Sequence, residues 1–307
     1  MTYRIGVLGY SAGNGHPLSF SAIINGFDDS AMAATGWPVI HGYLQARKPD
    51  DFGFGDARVT SIWTPDAAQA ETFAKACLID SVASAPEAMI GTVDAVMILR
   101  DDAETHLPLA MPFLTAGLPV FVDKPLCITA PELRAFRPYL DSGQLMSCSG
   151  LRFCAELDSL RADPERLGRV KLIRASVVVD WARYGIHMLE AAMGTLPIRP
   201  VAVQRHRAEH ESVAVRMDNG TLMLIDALGA VPKTFTLDFY GDKAIERVEI
   251  SDNFSAFRRT IGKFLDQARL GRPGVAPGDT VRVIETLMAG LAAAPGGPEI
   301  TIEDVTT

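Results

Sequence analysis

The first half of the chain alternates short apolar runs with helical patterns of about 10–15 residues. Tyr3 to Leu8 reads as a buried strand, stopped at once by Gly9. Pro17 to Phe27 follows as a helix, with Pro17 in its first turn and Gly26 near its end. Val59 to Trp63 is a second strand, and Asp66 to Ala76 a helix of good formers. Ala95 to Leu99 is a third buried strand, Thr105 to Ala116 a helix stopped by Gly117, and Val120 to Val122 the start of another strand. Strands spaced by helices of this length predict a parallel sheet with right-handed crossovers. Residues 28–57 break the rhythm with Trp37-Pro38, Lys48-Pro49 and Gly53-Phe54-Gly55. A segment that long where a short loop belongs is expected to be an insertion near a cofactor or a subunit surface.

Beyond Pro125 the texture changes. Pro131 to Leu140 and Arg183 to Met193 read as helices, and Val170 to Val179 as a β-branched strand. Val201 to Arg207 and Ser212 to Met217 alternate like strands, and Asp218-Asn219-Gly220 before Thr221 to Leu228 signals a hairpin. Thr234 to Tyr240 and Ala244 to Ile250 form another pair around Gly241-Asp242, and two helices, Phe254 to Leu270 and Asp279 to Ala293, close the chain. The expected organisation is α/β: a domain on a parallel sheet over 1–125, with the insertion at about 28–57, then an α+β domain over 126–307 built on a mainly antiparallel sheet.

Composition narrows the function classes. A length of 307 residues, 48% apolar and 21% charged, suits two folded domains rather than a disordered chain. No apolar run reaches the roughly 18 residues of a membrane helix, and no signal-peptide pattern opens the sequence. With 29 basic against 37 acidic residues the charge is −8, which makes nucleic acid and anionic membrane poor partners. Cys77, Cys127, Cys148 and Cys154 form no metal-type spacing and are expected as core thiols in a reducing cytoplasm. His206 and His210, with Glu209 and Glu211, sit on a strand and its turn rather than on the helix that a zinc protease motif needs. No metal site is expected.

The candidate chemistry begins at Gly9-Tyr10-Ser11-Ala12-Gly13-Asn14-Gly15-His16. Glycines between a first strand and a first helix let backbone N–H groups approach a pyrophosphate, with the helix dipole in support. Ser11 and Asn14 stand where a strict dinucleotide fingerprint has glycines, so a plain tight turn is the competing reading. The end of the second strand should offer an acid to the ribose; it offers Thr64, with Asp66 two residues on, and Asp66 can equally be a helix cap. No basic residue follows closely to hold the extra phosphate of NADP.

The most informative stretch runs from Asp94 to Leu126: strand, loop, a helix opened by His106 and closed by Ala116-Gly117, strand, and then Asp123-Lys124-Pro125. Here the chain resembles the Gfo/Idh/MocA family of sugar and cyclitol dehydrogenases, whose signature is Glu-Lys-Pro at a strand end. The family pattern has Thr-Pro before the histidine; this chain has Asp101-Asp102. A second signature, Asp-x-Gly-x-His, is matched at Gly185 and His187 but carries Arg183 in place of the aspartate. The resemblance covers nearly the whole chain and is most specific over 94–126.

The resemblance implies a Rossmann domain followed by an open-sheet domain, NAD or NADP as cofactor, a small sugar-like substrate, and a homo-oligomer. Together with the strand–glycine–helix order and the end of the second strand, it puts Gly9, Ser11, Gly13, Asn14, Gly15, His16, Thr64, Asp66, Asp101, His106, Asp123 and Lys124 at the cofactor. Lys124, at a strand's carboxyl end, is suited to stabilising a developing alkoxide, and His187 to moving the proton. Tyr184 adds a hydroxyl to the catalytic set. Trp181 and Arg183 are expected at the substrate, and a guanidinium there would suit an anionic group unless Arg183 merely faces solvent. The short loop ahead of Trp181 suggests an open pocket. Three activities fit: hydride transfer at a secondary alcohol or ketone, redox-neutral cleavage of a glycosidic bond through bound cofactor, or a non-catalytic ligand or redox sensor.

Overall fold

In the computed structural model, which describes residues 1–305, the alternation seen in the sequence becomes a doubly wound sheet. Its strands are β1 (Tyr3–Leu8), β2 (Ala57–Trp63), β3 (Ser81–Val82), β4 (Ala95–Ile98), β5 (Val120–Val122) and β6 (Leu145–Met146). They pair in parallel in the order β3-β2-β1-β4-β5-β6. Ile5, Val7 and Leu8, and all of Ala95 to Ile98, are buried, as strands covered on both faces must be. The chain's helices here are α1 (His16–Asn25), α2 (Asp29–Ala33), α3 (Pro38–Gln45), α4 (Ala67–Ala76) and α5 (His106–Thr115). Asn25, at the end of α1, donates from Nδ2 to the carbonyls of Val59 (2.8 Å) and Cys77 (3.1 Å) and accepts from the Val59 N–H (2.9 Å), which ties α1 to β2.

The segment 28–57 is not a long loop. Asp28 caps α2 by accepting from the Ala31 N–H, and Pro38 sits in the first turn of α3. Trp37 and Ile40 press against Gly15: a Cβ there would lie 2.4 Å from Ile40 Cδ1 and 2.9 Å from the Trp37 ring. The insertion therefore packs beneath the glycine loop.

Two compact units divide the chain: Met1–Leu126 with Pro138–Ser147 and Thr260–Gly274, and Cys127–Arg137 with Cys148–Arg259 and Val275–Thr307. Residues 138–147 and 260–274, expected in the second domain, thus belong to the first unit. Their side chains show why: Phe264 packs its ring 5.8 Å from that of Phe121 on β5, and Gln267 donates to the Gly143 carbonyl at 2.9 Å.

The remaining helices are α6 (Ala130–Asp141), α7 (Asp158–Ala162), α8 (Ile186–Met193), α9 (Asn253–Leu270) and α10 (Pro277–Ala292). The second unit is organised on β7 (Val170–Val177), β8 (Pro200–His206), β9 (Glu211–Met217), β10 (Leu222–Ala227), β11 (Phe235–Gly241), β12 (Ile245–Glu249) and β13 (Ile300–Thr301). Their order is β12-β11-β7-β10-β9-β8-β13, antiparallel throughout except for β7 with β10. Alternate residues such as Ile173, Ala175, Val177, Met223 and Ile225 are buried, while Arg174 and Leu222 on the other face are exposed. The open, mainly antiparallel sheet is as expected. The hairpin at Asp218-Asn219-Gly220 forms, with Gly220 at φ +84°. All four cysteines are buried thiols.

Trp181 anchors this unit. It is fully buried, its indole N–H donates to the Leu287 carbonyl on α10 at 3.0 Å, and its ring lies where Cβ atoms at Gly185 or Gly290 would be 2.4–2.5 Å away. Gly290→Ala should therefore overpack the core and cost about 1–3 kcal/mol, read as a lower urea midpoint with an unchanged slope. An unaltered midpoint would show that the indole can move aside.

Candidate active site

The carboxyl ends of β1, β4 and β5 are adjacent in the first sheet, and the loops that follow them meet there. The Ser11 hydroxyl donates to Asp101 Oδ1 at 2.5 Å and accepts from the Asp101 N–H at 3.1 Å. The Lys124 ammonium lies 4.0 Å from the other Asp101 oxygen. One residue earlier, Asp123 Oδ2 receives the Asn14 amide at 3.1 Å and the His16 Nδ1 at 2.5 Å, and its Oδ1 accepts the Lys124 N–H at 2.8 Å. Six of the expected residues, Ser11, Asn14, His16, Asp101, Asp123 and Lys124, are thus brought into one cluster.

Its electrostatics follow from burial. Asp123 is 2% exposed and Lys124 3%. Burial alone would raise the Asp123 carboxyl, but the His16 ring, the Lys124 ammonium and the Asn14 amide outweigh it and hold the group at about 2. A buried carboxylate that stays ionised keeps a counter-charge beside the lysine, and the lysine's stem is immobilised at a strand end.

Other expected cofactor residues are used differently. A Cβ at Gly9 would lie 2.4 Å from the Pro17 ring, so this glycine serves the contact of β1 with α1, as Gly15 serves that with the insertion. The His16 N–H is taken by Asn14 Oδ1 at 2.8 Å, and Pro17 has none. Gly13 is the permissive point of the loop: its φ is +84°, and no described heavy atom lies within 4 Å of where a Cβ would stand. Thr64 is 3% exposed and gives its hydroxyl to the Asp66 carbonyl, while Asp66 Oδ1 caps α4 through the Ala68 N–H at 3.0 Å. Of the two readings of Asp66, the helix cap is the one observed. His106 is fully buried between the carbonyls of Arg100 (3.0 Å) and Leu126 (3.1 Å), where it fastens the β4 loop to the end of β5 instead of facing a ligand. Arg100, overlooked in the sequence, pairs with Asp102 and donates to the Tyr10 carbonyl at 2.8 Å, which joins the two loops. The Arg100-x-Asp102 spacing was the available signal.

In the second unit the helix expected over 183–193 begins as a π-helical turn, Trp181–Gly185, and continues as α8. Asp180 caps the turn through the Arg183 N–H at 2.8 Å, and its Oδ2 also binds the Arg183 guanidinium at 2.8 and 3.0 Å. His187, in the first turn of α8, sets Nδ1 2.6 Å from the Ser149 hydroxyl. Tyr184 and Phe235 lie edge-on to its ring at 5.2 and 5.9 Å. Trp181, expected at the substrate, is instead core. Ser149 and Phe235 were missed, since neither has a fixed spacing from His187.

A doubly wound sheet with a charged cluster and a glycine turn at the carboxyl ends of its central strands defines the dinucleotide-binding class. The room beside Gly13 at the start of α1 fits a phosphate approach. Residues 39–145 match the family model of the Gfo/Idh/MocA oxidoreductases, described as an oxidoreductase family with an NAD-binding Rossmann fold. Over those residues the chain is similar to that family's NAD-binding domain, in line with the expected oxidoreductase and its NAD or NADP cofactor. No curated protein matches the chain. Among solved structures it is similar to scyllo-inositol dehydrogenase from Lactobacillus casei with bound NAD(H) and scyllo-inositol, at 13% identity, TM-score 0.77, covering 99% of this chain and 100% of that one. It is also similar to myo-inositol 2-dehydrogenase from Lactobacillus plantarum, at 13% identity and TM-score 0.75 over 98% and 99% of the two chains. A myo-inositol dehydrogenase from Corynebacterium glutamicum is similar at 17% identity and TM-score 0.72, again over 98% and 99%. At these identities the likeness speaks for the fold. Among the described residues no helix is long and apolar enough to cross a membrane, and no group of acidic, histidine and cysteine side chains is arranged to hold a metal ion.

The Asp123 cluster predicts a pH dependence. A carboxyl held at about 2 against an ordinary 3.8 adds stability above pH 4 that is lost as pH falls through 2. The shift corresponds to about 2 kcal/mol. The stability gap between the native protein and Asp123→Asn, measured by urea unfolding, should shrink by most of that amount from pH 5 to about pH 2. A constant gap would remove the assigned charge state.

Proposed function

We propose that the protein is a dehydrogenase that interconverts a secondary alcohol and a ketone on a neutral sugar or cyclitol. The observation that carries this reading is Lys124: a buried lysine at the carboxyl end of a central strand, its backbone N–H on Asp123 and its ammonium 4.0 Å from Asp101. NAD, bound at this face, would supply the hydride acceptor or donor. Lys124 would hold the substrate oxygen and stabilise negative charge as it develops there. His187 would take the hydroxyl proton in oxidation and return it in reduction. Retention of both groups counts against a non-catalytic sensor. The inositol dehydrogenases with the same fold support a polyol as the substrate class. The open face of the second unit's sheet supports the homo-oligomer proposed with it.

Arg183 does not support an anionic substrate group. Its guanidinium is engaged by the Asp180 carboxylate, with donors Nε and Nη2 on one oxygen. Arg183→Ala should accordingly leave KM for a neutral polyol within about twofold, because no substrate contact is removed. A KM rise of tenfold or more would return the anion-binding role to this residue.

Cofactor binding and turnover test the main reading. Fluorescence titration should show saturable NADH binding. NADPH should follow within about tenfold, since Thr64 stands where an acid would repel the extra phosphate, Asp66 is engaged as the α4 cap, and no base follows to hold it. With myo-inositol and NAD as the first probes, Lys124→Ala should lower kcat about 10²–10³-fold. His187→Ala should lower it about 10²–10⁴-fold and remove a limb of the pH profile. No binding of either reduced cofactor at millimolar concentration, or full turnover in His187→Ala, would overturn the proposal.

A further inference from the structure

The imidazole of His187 needs a partner that fixes its plane and its tautomer, and its own turn does not provide a carboxylate. The residue four positions earlier is Arg183, and the acid nearest to it in sequence, Asp180, is spent on the turn's cap and on Arg183 itself. The group that touches Nδ1 is the Ser149 hydroxyl at 2.6 Å, from a residue fully buried and 38 positions away in sequence. Ser149 is itself held in place. Its Oγ accepts from the Leu151 N–H at 3.1 Å as the cap of the short turn Gly150–Phe153, and its backbone N–H reaches the Glu190 carboxylate.

A hydroxyl has one proton to give and two lone pairs. Leu151 occupies one lone pair. The proton and the other lone pair remain for Nδ1, so the same contact serves both states of the ring. When Nδ1 is bare, Ser149 donates to it and the ring's proton is on Nε2. When Nδ1 carries hydrogen, Ser149 accepts from it, and Nε2 can then take up a proton to give the imidazolium. A carboxylate would hold only the second arrangement and would favour the cation.

We infer that Ser149 is the positioning residue of His187: it holds the imidazole through Nδ1 and lets the ring exchange a proton at Nε2 without losing its partner. This rests on His187 being the acid/base group proposed above. Ser149 is in hydrogen-bond contact with Nδ1, and the titratable and charged groups on the neighbouring elements are placed as follows. Tyr184 approaches by its ring edge, and Lys233 lies over Phe235, 6.0 Å from that ring's centre. The Glu190 carboxylate is paired with Arg152 at 2.6 Å, and Arg152 with Asp279 in turn.

The test reads the ring itself, in the full chain with histidine labelled by ¹⁵N. The His187 signals are assigned by their loss in His187→Ala, and tautomer and titration midpoint are followed with pH. Ser149→Ala should change the tautomer ratio at least threefold. Ser149→Thr, which keeps a hydroxyl, should restore the native pattern. Ser149→Asp, which keeps a cap acceptor but adds a carboxylate, should raise the midpoint by about 1 unit or more, because a neighbouring negative charge favours the imidazolium. Tautomer and midpoint unchanged in both Ser149→Ala and Ser149→Asp would overturn the inference. Turnover of myo-inositol with NAD separates the two claims. Loss of turnover in His187→Ala with native ring behaviour in the Ser149 variants sinks only the positioning role. Native turnover in His187→Ala sinks the catalytic reading, while the ring spectra still decide the Ser149 contact.

Discussion

The buried carboxylate of Asp123 is the constraint on which the site depends. It stands at the end of β5 and collects the Asn14 amide and His16 ring from the loop after β1. An ionised carboxylate with 2% exposure survives only if its lone pairs are filled and a positive charge is close. Its partners satisfy both conditions, and in doing so they hold the β1 loop against the β5 end. The loop's course follows from this. With Asn14 committed by its amide to Asp123 and by its oxygen to the His16 N–H, the chain turns at Gly13, where φ is positive and nothing crowds the backbone.

Asp101 does for the lysine side chain what Asp123 does for its backbone. Ser11 holds Asp101 by a short hydrogen bond, and the ammonium lies 4.0 Å away. Arg100 turns the other way, to Asp102 and the Tyr10 carbonyl, so neighbouring residues of the β4 loop point to different partners. The pair of aspartates that departs from the family pattern therefore has two distinct uses: Asp102 closes the loop on Arg100, and Asp101 faces the lysine.

Much of the fold was legible because it rests on local signals. Apolar runs bounded by glycine marked the central strands, Asn219-Gly220 marked the hairpin, and Asp123-Lys124-Pro125 marked the strand end. What stayed hidden depends on contacts distant in sequence. The two-residue strands β3 and β6 leave too short a pattern to read. The segment 28–57 looked like loop because its helices are brief and interrupted by proline. Residues 260–274 group with the first unit through contacts that no local pattern announces, among them Phe264 with Phe121 and the Gln267 bond to Gly143. The site followed the same division: residues inside a motif were found, while Ser149 and Phe235, which reach His187 through the fold alone, were not.

The same division bears on two residues inside the second motif. A tryptophan and an arginine beside a candidate histidine look like substrate contacts by proximity in sequence. Yet consecutive residues of a helical turn face different directions. Trp181 points inward, where Gly185 and Gly290 make room for its ring, and Arg183 folds back on the Asp180 cap. His187, one turn further along, is left with Tyr184 and Phe235 at its ring and Ser149 at Nδ1. The hydrogen-bond partner that the fold brings to Nδ1 is a hydroxyl rather than a carboxylate. A hydroxyl at that atom does not lock the imidazole into its cationic form, as a carboxylate would, and so suits a group that must both accept and return a proton. The loss of the motif's aspartate is therefore compatible with acid/base chemistry at His187, provided the orienting contact comes from elsewhere in the unit, as it does from Ser149.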